Sequence, residues 1–313
     1  MINSLDDVLE RVKNYRAKRV AVAAADDLDA LRAVRECQEA GFAQGVLVGD
    51  ERRIRELGEE AGLDLKANEI HDEPDDLKAA ARAVGLVREG KADIVMKGYI
   101  HTDDFLRAVL NKEEGLRAGL VMSHVFLLDV REERRVILLT DGAMNIAPDL
   151  VQKADIIMNA VYLAHLLGWA RPRVGVLAAV ELVNPNMPAT IEAAVLAKMS
   201  ERGQFPECVI DGPLALDNAV SAEAAKHKKI GGLVAGRADI LVVPNIEAGN
   251  MLCKSFVYLA RGRVAGVVVG AAAPVVLTSR ADSAESKKLS IATAVLMADL
   301  QRTKRLKVGK VHY

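Results

Sequence analysis

Long apolar runs are missing from this sequence: nowhere do the roughly 18 or more consecutive apolar residues of a membrane-spanning helix occur. No basic segment followed by an apolar stretch opens the chain, so neither membrane insertion nor secretion is expected. Cysteine is scarce. Cys37, Cys208 and Cys253 lie far apart and form no CxxC pair, which excludes a disulfide framework and a zinc ribbon and points to a reducing cytoplasm. An excess of charge is missing too: 42 Lys and Arg against 43 Asp and Glu leave a net charge of −1. A nucleic-acid surface driven by bulk phosphate attraction is therefore not expected, and any anion site must be local. There is no Pro/Ser-rich linker, no internal repeat and no low-complexity segment.

What is present is apolar bulk. The chain has 313 residues, 51% of them hydrophobic, enough for two domains of ordinary size. Short β-branched runs alternate with longer Ala/Leu/Glu/Arg stretches, the pattern of parallel strands joined by crossover helices, so the fold class is α/β. Residues 19–24 (RVAVAA), 45–48 (GVLV), 93–96 (DIVM) and 135–139 (RVILL) are expected as strands of a first sheet region. Residues 173–178, 208–211, 239–243 and 266–269 are expected as a second set. Helical spacing covers 28–40, 77–87, 150–167, 189–199 and 250–261, and the opening INSLDDVLERV has Asn3 or Ser4 as a candidate cap. So many strands favour two lobes over one. The acidic patch HDEPDD at 71–76 is expected as a solvated loop capping a helix that begins near Asp75.

Familiar site fingerprints are absent. No GxGxxG follows a strand, and no GxSxG, HExxH or EF-hand loop occurs. GGLVAGRAD at 231–239 has glycine spacing like a P-loop but offers Arg237-Ala238 where Lys-Ser/Thr is needed, and it precedes a strand. Polar residues at strand ends remain, where an open α/β sheet places its ligands. In MKGYIHTDDFLRAVL (96–110), Lys97 ends an apolar strand, His101 and Thr102 lie in the turn, and Thr102 or Asp103 can cap the helix carrying Arg107. A lysine, a hydroxyl and helix N-terminal N–H groups make a candidate phosphate cradle, although a capped helix with surface charges has the same sequence. Ser123 and His124 interrupt an apolar strand at 121–130, and Asp141-Gly142 makes a tight turn with Asn145 as an amide handle. Asn250 and Lys254 share a helix face behind Gly249. In VVLTSRADSAES (275–286), Asp282 and Glu285 have capping-box spacing, which leaves Ser279-Arg280 unexplained except as an anion site at a helix entrance.

Taken together, KGYIHT, SHVFL, DGAMN, DGPLALDNA, PNIEAGN with Lys254, and VVLTSRADSAESK resemble the phosphate acetyl/butyryltransferases over roughly residues 20–300. The LTSRADSAESK ending is most similar to the butyryltransferase branch. The resemblance implies reversible acyl transfer between coenzyme A and inorganic phosphate, with those two as substrates and no tightly bound cofactor or metal. It implies two α/β domains, 1–128 with 269–313 and 129–268, an interdomain cleft, an architecture like the isocitrate and isopropylmalate dehydrogenases, and a homodimer or higher homo-oligomer. Ser279 and Arg280 match the serine and arginine that polarise the acyl carbonyl and bind phosphate in acetyltransferase members, and Arg107 matches an arginine implicated in coenzyme A binding. His101 and Thr102 match the turn associated with acyl phosphate. Lys97, Ser123, His124, Asn145, Asn250 and Lys254 are further substrate-binding candidates. The aspartate that acts as base in the acetyltransferases, seven positions beyond the serine, is Ser286 here, which leaves Asp282 and Glu285 as nearby carboxylates. The position of a cysteine in some members is Gly142.

The mechanism expected is direct attack of coenzyme A thiolate on acyl phosphate, with Ser279, Arg280 and Asp282 as catalytic residues. Two other classes share parts of the pattern: a non-catalytic acyl-coenzyme A sensor lacking the base, and a metal- and nicotinamide-dependent decarboxylating dehydrogenase of the same architecture.

Overall fold

The computed structural model describes residues 1–119, 121–304 and 308–312. Contacts divide the chain into two compact units, Leu5–Leu120 with Val264–Arg305, and Val121–Arg263 with Met1–Ser4 and Leu306–Tyr313.

The first unit begins with helix α1 (Leu5–Val12), whose buried Leu5, Val8 and Val12 recur at helical spacing. Strands β1 (Lys18–Ala23), β2 (Ala43–Gly49), β3 (Glu69–Asp72) and β4 (Ile94–Lys97) then alternate with helices α2 (Leu28–Glu39), α3 (Glu51–Ala61) and α4 (Asp76–Arg88), and α5 (Thr102–Val109) follows β4. Three helices start in the same way. Asp27, Asp50 and Asp75 each sit at the cap and accept a hydrogen bond from the backbone N–H three residues on, which satisfies a donor the helix leaves unpaired. Strands β1, β2 and β4 are buried along almost their whole length, as expected of parallel strands covered on both faces.

The expected cap at Asp75 is present, but His71 and Asp72 belong to β3 and not to a loop. β3 pairs parallel with β2, is only half covered, and therefore carries polar residues that hide its strand pattern.

The second unit starts with β5 (Ser123–Val130) and β6 (Arg135–Thr140), an antiparallel pair closed by residues 131–134, where Arg134 has φ 48°. Helix α6 (Leu150–Leu166) opens with a reciprocal capping box between Asp149 and Gln152 and is buried on nearly all sides. Then come β7 (Arg173–Leu177), α7 (Pro188–Glu201), β8 (Val209–Leu214), the short helices α8 (Leu216–Val220) and α9 (Ala222–His227), β9 (Ile240–Val242) and α10 (Ile246–Lys254). The strand order is β5-β6-β9-β7-β8. Asp239 ties the starts of β7 and β9 together, accepting from Arg173 Nε and Nη2 at 2.8 and 2.7 Å in a forked, charge-assisted pair.

The chain then returns to the first unit through β10 (Arg263–Val269), β11 (Val275–Val276) and α11 (Ala284–Lys304). There the strand order is β3-β2-β1-β4-β11-β10, with β11 parallel to β4 and β10 antiparallel to β11. Helix α11 packs on α1 and α2. Residues 135–139 therefore do not belong with the first set of strands, nor 266–269 with the second. An apolar run marks a strand but not its partner. Among the described residues, no helix is long and apolar enough to cross a membrane.

Candidate active site

In the Leu5–Leu120/Val264–Arg305 unit, β4 and β11 run side by side, with Val276 opposite Met96. The next residues on each, Lys97-Gly98 and Leu277-Thr278, leave the sheet at the same end. This is where parallel strands present ligand-binding loops. Gly98 is required there: a Cβ would lie 2.2 Å from Ala24 O and 2.7 Å from Ala23 O. Gly98 N donates to Ala23 O and Tyr99 N to Ala24 O, which pins the 98–100 turn to the end of β1.

The loop from Thr278 to Asp282 carries the residues singled out at its centre. Asp282 Oδ2 accepts from Ser279 N at 2.8 Å, and Ser279 Oγ accepts from Ala281 N at 3.3 Å. Ser279 is half-buried and Arg280 exposed. The expected capping box at Asp282 is not formed. Helix α11 begins at Ala284, and Ser283 Oγ accepts from Ser286 N at 3.3 Å in the capping position. A carboxylate one residue further back reaches the loop instead, so Asp282 is not consumed by the helix start. Ser286, at the position of the acetyltransferase aspartate, lies with its hydroxyl 3.4 Å from that of Ser283.

Charge gathers behind this loop. Lys97 and Lys287 are both only 1% exposed. Lys97 Nζ donates to Gly98 O at 3.1 Å and Ile100 O at 2.9 Å. Lys287 Nζ donates to Asp282 O at 2.7 Å and lies 3.7 Å from the Asp27 carboxylate. Burial, then the neighbouring Arg280 and Lys287 charges, push the Lys97 ammonium down to about 8, against the opposite pull of Asp27 and Asp282. Three cations thus face two carboxylates, leaving a local excess of positive charge in a chain that has none overall. Thr278 adds a buried hydroxyl with no hydrogen-bond partner among the described residues.

Lys97, expected as a ligand-binding ammonium, is instead committed to backbone carbonyls, because its short strand ends inside the core. A stability prediction follows. The folded-state value near 8 lies below the 10.5 of an unperturbed lysine. The cost of the buried charge is therefore fully present below about pH 8. It is relieved as the pH rises toward 10.5, because the unfolded chain then holds the proton that the folded chain has lost. Relative to a Lys97→Met variant, the parent should gain up to about 3 kcal/mol between pH 7 and pH 10. Urea denaturation of both proteins across that range checks it, and a constant difference would overturn it.

The α5 entrance differs from the expected phosphate cradle. His101 occupies the cap position without a side-chain bond, and neither Thr102 nor Asp103 caps the helix. Asp103 and Asp104 fill its first turn, and Asp76 has its carboxyl raised by burial and then by the Asp26, Asp75 and Asp104 charges, against a smaller opposing effect of His101. The local field is acidic. Arg107, 71% exposed on its side chain, pairs with Asp104 at 3.2 Å on the same helix.

The remaining candidates lie in the Val121–Arg263 unit. Asp141, 3% exposed, is the hub of its loop, accepting from His124 N at 3.2 Å, Ala143 N at 2.9 Å, Met144 N at 3.1 Å and Asn145 Nδ2 at 2.6 Å. Asn145 Nδ2 also donates to Met122 O at 2.9 Å, so this amide locks the loop to the start of β5. Ser123 Oγ accepts from Asn159 Nδ2 at 2.9 Å, and the buried His124 ring meets Phe126 at 4.2 Å. Asn250 Nδ2 donates to Gly142 O at 3.2 Å, so this amide holds the turn at Gly142. Lys254 is exposed, its Nζ 6.0 Å from the Tyr258 ring centroid. A Cβ at Gly142 would lie 2.7 Å from Gly249 C, so the close approach of two backbones excludes a cysteine at that position.

Ser279, Arg280, Asp282 and Lys97 are thus brought together. Tyr99, Thr278, Lys287 and Asp27 join them and were not singled out from sequence. The one available signal was a second lysine, Lys287, just behind the proposed cap.

Comparisons with known proteins identify the family. The family model described as Phosphate acetyl/butaryl transferase matches residues 4–83 and 75–297. The phosphate butyryltransferase of Clostridium acetobutylicum is 50% identical over 298 residues, covering 95% of this chain and 99% of that protein. A phosphate acetyltransferase of Rhizobium meliloti is 48% identical over 267 residues, covering 85% of this chain and 84% of that one. Among solved structures, a branched-chain phosphotransacylase from Enterococcus faecalis V583 superposes with a TM-score of 0.80 at 34% identity, covering 90% of this chain and 99% of that chain. Matched along nearly its whole length at such identities, the chain belongs to the phosphate acetyl/butaryl transferase family.

Proposed function

We propose that this acyltransferase, which moves an acyl group between coenzyme A and inorganic phosphate, favours a short chain of the butyryl class and works by direct transfer in a ternary complex. The observation that carries the site assignment is the gathering of Arg280 with the buried Lys97 and Lys287 at the Ser279 loop, three cations against the carboxylates of Asp27 and Asp282. In the direction of thioester formation, the coenzyme A thiolate attacks the carbonyl carbon of acyl phosphate. The C–S bond forms, the bond between the carbonyl carbon and the bridging phosphate oxygen breaks, and its electron pair leaves on that oxygen with phosphate. Ser279 stabilises the carbonyl oxygen as it gains charge, and Arg280 takes the departing phosphate in a forked contact. Lys97 and Lys287 strengthen that field from behind without touching the substrate.

The thiol proton goes to Asp282. Its carboxylate stands one residue outside the helix cap and is held by Ser279 N–H, which places base and oxyanion donor on one loop. A thiol with an ordinary value near 8.5 is already a few per cent ionised at neutral pH, so this base accelerates the reaction without being indispensable. The butyryl preference rests on the names of the relatives, and a homodimeric cytoplasmic enzyme is part of the same proposal.

The test is phosphate-dependent release of free thiol from acetyl-, propionyl-, butyryl-, isobutyryl- and benzoyl-coenzyme A, with no metal or nicotinamide present. Release that requires phosphate and is fastest with butyryl or isobutyryl supports the proposal. A best rate with acetyl would sink the chain-length assignment. No release from any ester by folded, coenzyme A-binding protein would point to a sensor.

A further inference from the structure

We propose that Tyr99 is a positioning residue for Arg280, its ring restraining the guanidinium at the mouth of the phosphate site, and that the buried Lys97 ammonium fixes Tyr99 in that role.

Tyr99 lies in the turn after β4. Gly98 O and Ile100 O, the carbonyls on either side of Tyr99, both accept from Lys97 Nζ. Two backbone N–H groups tie the same turn to residues 23 and 24. A segment held inward at both of its flanking carbonyls turns its middle side chain outward. Accordingly Ile100 is 1% exposed and Tyr99 54%. An aromatic ring so exposed adds little to the core, and it lies against Arg280, whose guanidinium carbon is 5.7 Å from the centroid. That distance is within the range of cation–π attraction.

Arg280 needs such a restraint. It is exposed and forms no ion pair among the described residues, so the Tyr99 ring is the contact that limits its rotamers. A free arginine side chain loses substantial rotamer freedom on gripping an anion. The ring reduces that loss by attracting the guanidinium toward one position before the anion arrives. Charge also acts on the arrangement: the buried Lys97 ammonium and the Arg280 guanidinium repel each other.

The inference rests on the assignment of Arg280 to phosphate, and kinetics separate the two. Initial rates of thiol release are measured against phosphate and against acyl-coenzyme A for the parent, Tyr99→Leu, Tyr99→Phe, Lys97→Met and the Lys97→Met/Tyr99→Leu double variant. Tyr99→Leu should raise the phosphate KM about threefold to fivefold, as expected for loss of an exposed cation–π contact, with the acyl-coenzyme A KM changed by less than about twofold. Tyr99→Phe, which keeps the ring, should bring the phosphate KM back to within about twofold of the parent. Lys97→Met should shift the phosphate KM in the same direction as Tyr99→Leu, and by less once Tyr99 is already leucine, since the two act in series. An unchanged phosphate KM in Tyr99→Leu overturns the inference while leaving the phosphate site intact. An equal rise in both KM values, or a defect in Tyr99→Phe matching that of Tyr99→Leu, overturns it as well, since a general disturbance of the turn or a role for the hydroxyl would then be at work. A parent enzyme whose rate is indifferent to phosphate would instead remove the underlying assignment.

Discussion

Ser279→Ala and Arg280→Ala should each lower the maximal rate of thiol release about a hundredfold, with the protein folded and the α11 helix intact. Loss of one preorganised donor to a developing oxyanion costs about 3 kcal/mol in the transition state. Ser279 is half-buried, held through its backbone N–H by Asp282 and followed by a helix capped independently at Ser283, so removing its hydroxyl leaves the loop supported. Arg280 lies on the solvent side, where truncation creates no cavity. Asp282→Asn should do less harm. The amide oxygen still accepts from Ser279 N–H, and the thiol of coenzyme A ionises in part without help. Rates at saturating substrate for the three variants distinguish the roles. A loss below about threefold in Ser279→Ala would remove the oxyanion assignment, and a collapse in Asp282→Asn equal to that of Arg280→Ala would make the carboxylate indispensable.

The second large effect is structural and lies across the same strand ends. Gly98→Ala should cost about 3 kcal/mol of stability and most of the activity, because the added carbon meets a backbone oxygen at 2.2 Å. A flexible side chain could swing aside. Ala24 O cannot, since Ala24 itself sits at φ 51° and its carbonyl accepts from Tyr99 N. Relief requires moving the 98–100 turn, and with it the carbonyls that Lys97 holds. Denaturant unfolding of Gly98→Ala beside Gly85→Ala checks this, because Gly85 lies within α4 with only Glu89 Oε1 nearby, at 3.9 Å. Equal stability of the two variants would show that the turn yields easily.

How much of this was legible beforehand depends on what each feature depends on. Strands such as 19–24 and 93–96 could be read because burial on both faces demands unbroken apolar sequence, and β1 and β4 are buried in that way. β3 could not, because a half-covered edge tolerates EIHD. The partners of residues 135–139 and 263–269 depend on the path between strands, although the short link 131–134 between two apolar runs was a hairpin signal that could have been used. Ser279 and Arg280 stood out since nothing local explained them. Asp282 has the spacing of a helix cap, but Asp and Ser cap equally well, and the choice between adjacent candidates is made by the local bond within the loop from Ser279 N–H to the Asp282 carboxylate. Lys97 looked like an open ligand group at a strand end. Only the fold reveals that its ammonium turns inward to two carbonyls, and only the return of the chain through β11 brings Tyr99 under Arg280.

The sparse cysteines have a practical side. Cys37, Cys208 and Cys253 are all buried, and burial raises the Cys37 thiol well above its ordinary value and that of Cys208 to about 12. A colorimetric thiol reagent added to the native enzyme therefore meets almost no reactive protein sulfur. The absorbance recorded during turnover reports coenzyme A alone, and alkylating agents should leave the catalyst unharmed while they consume its product.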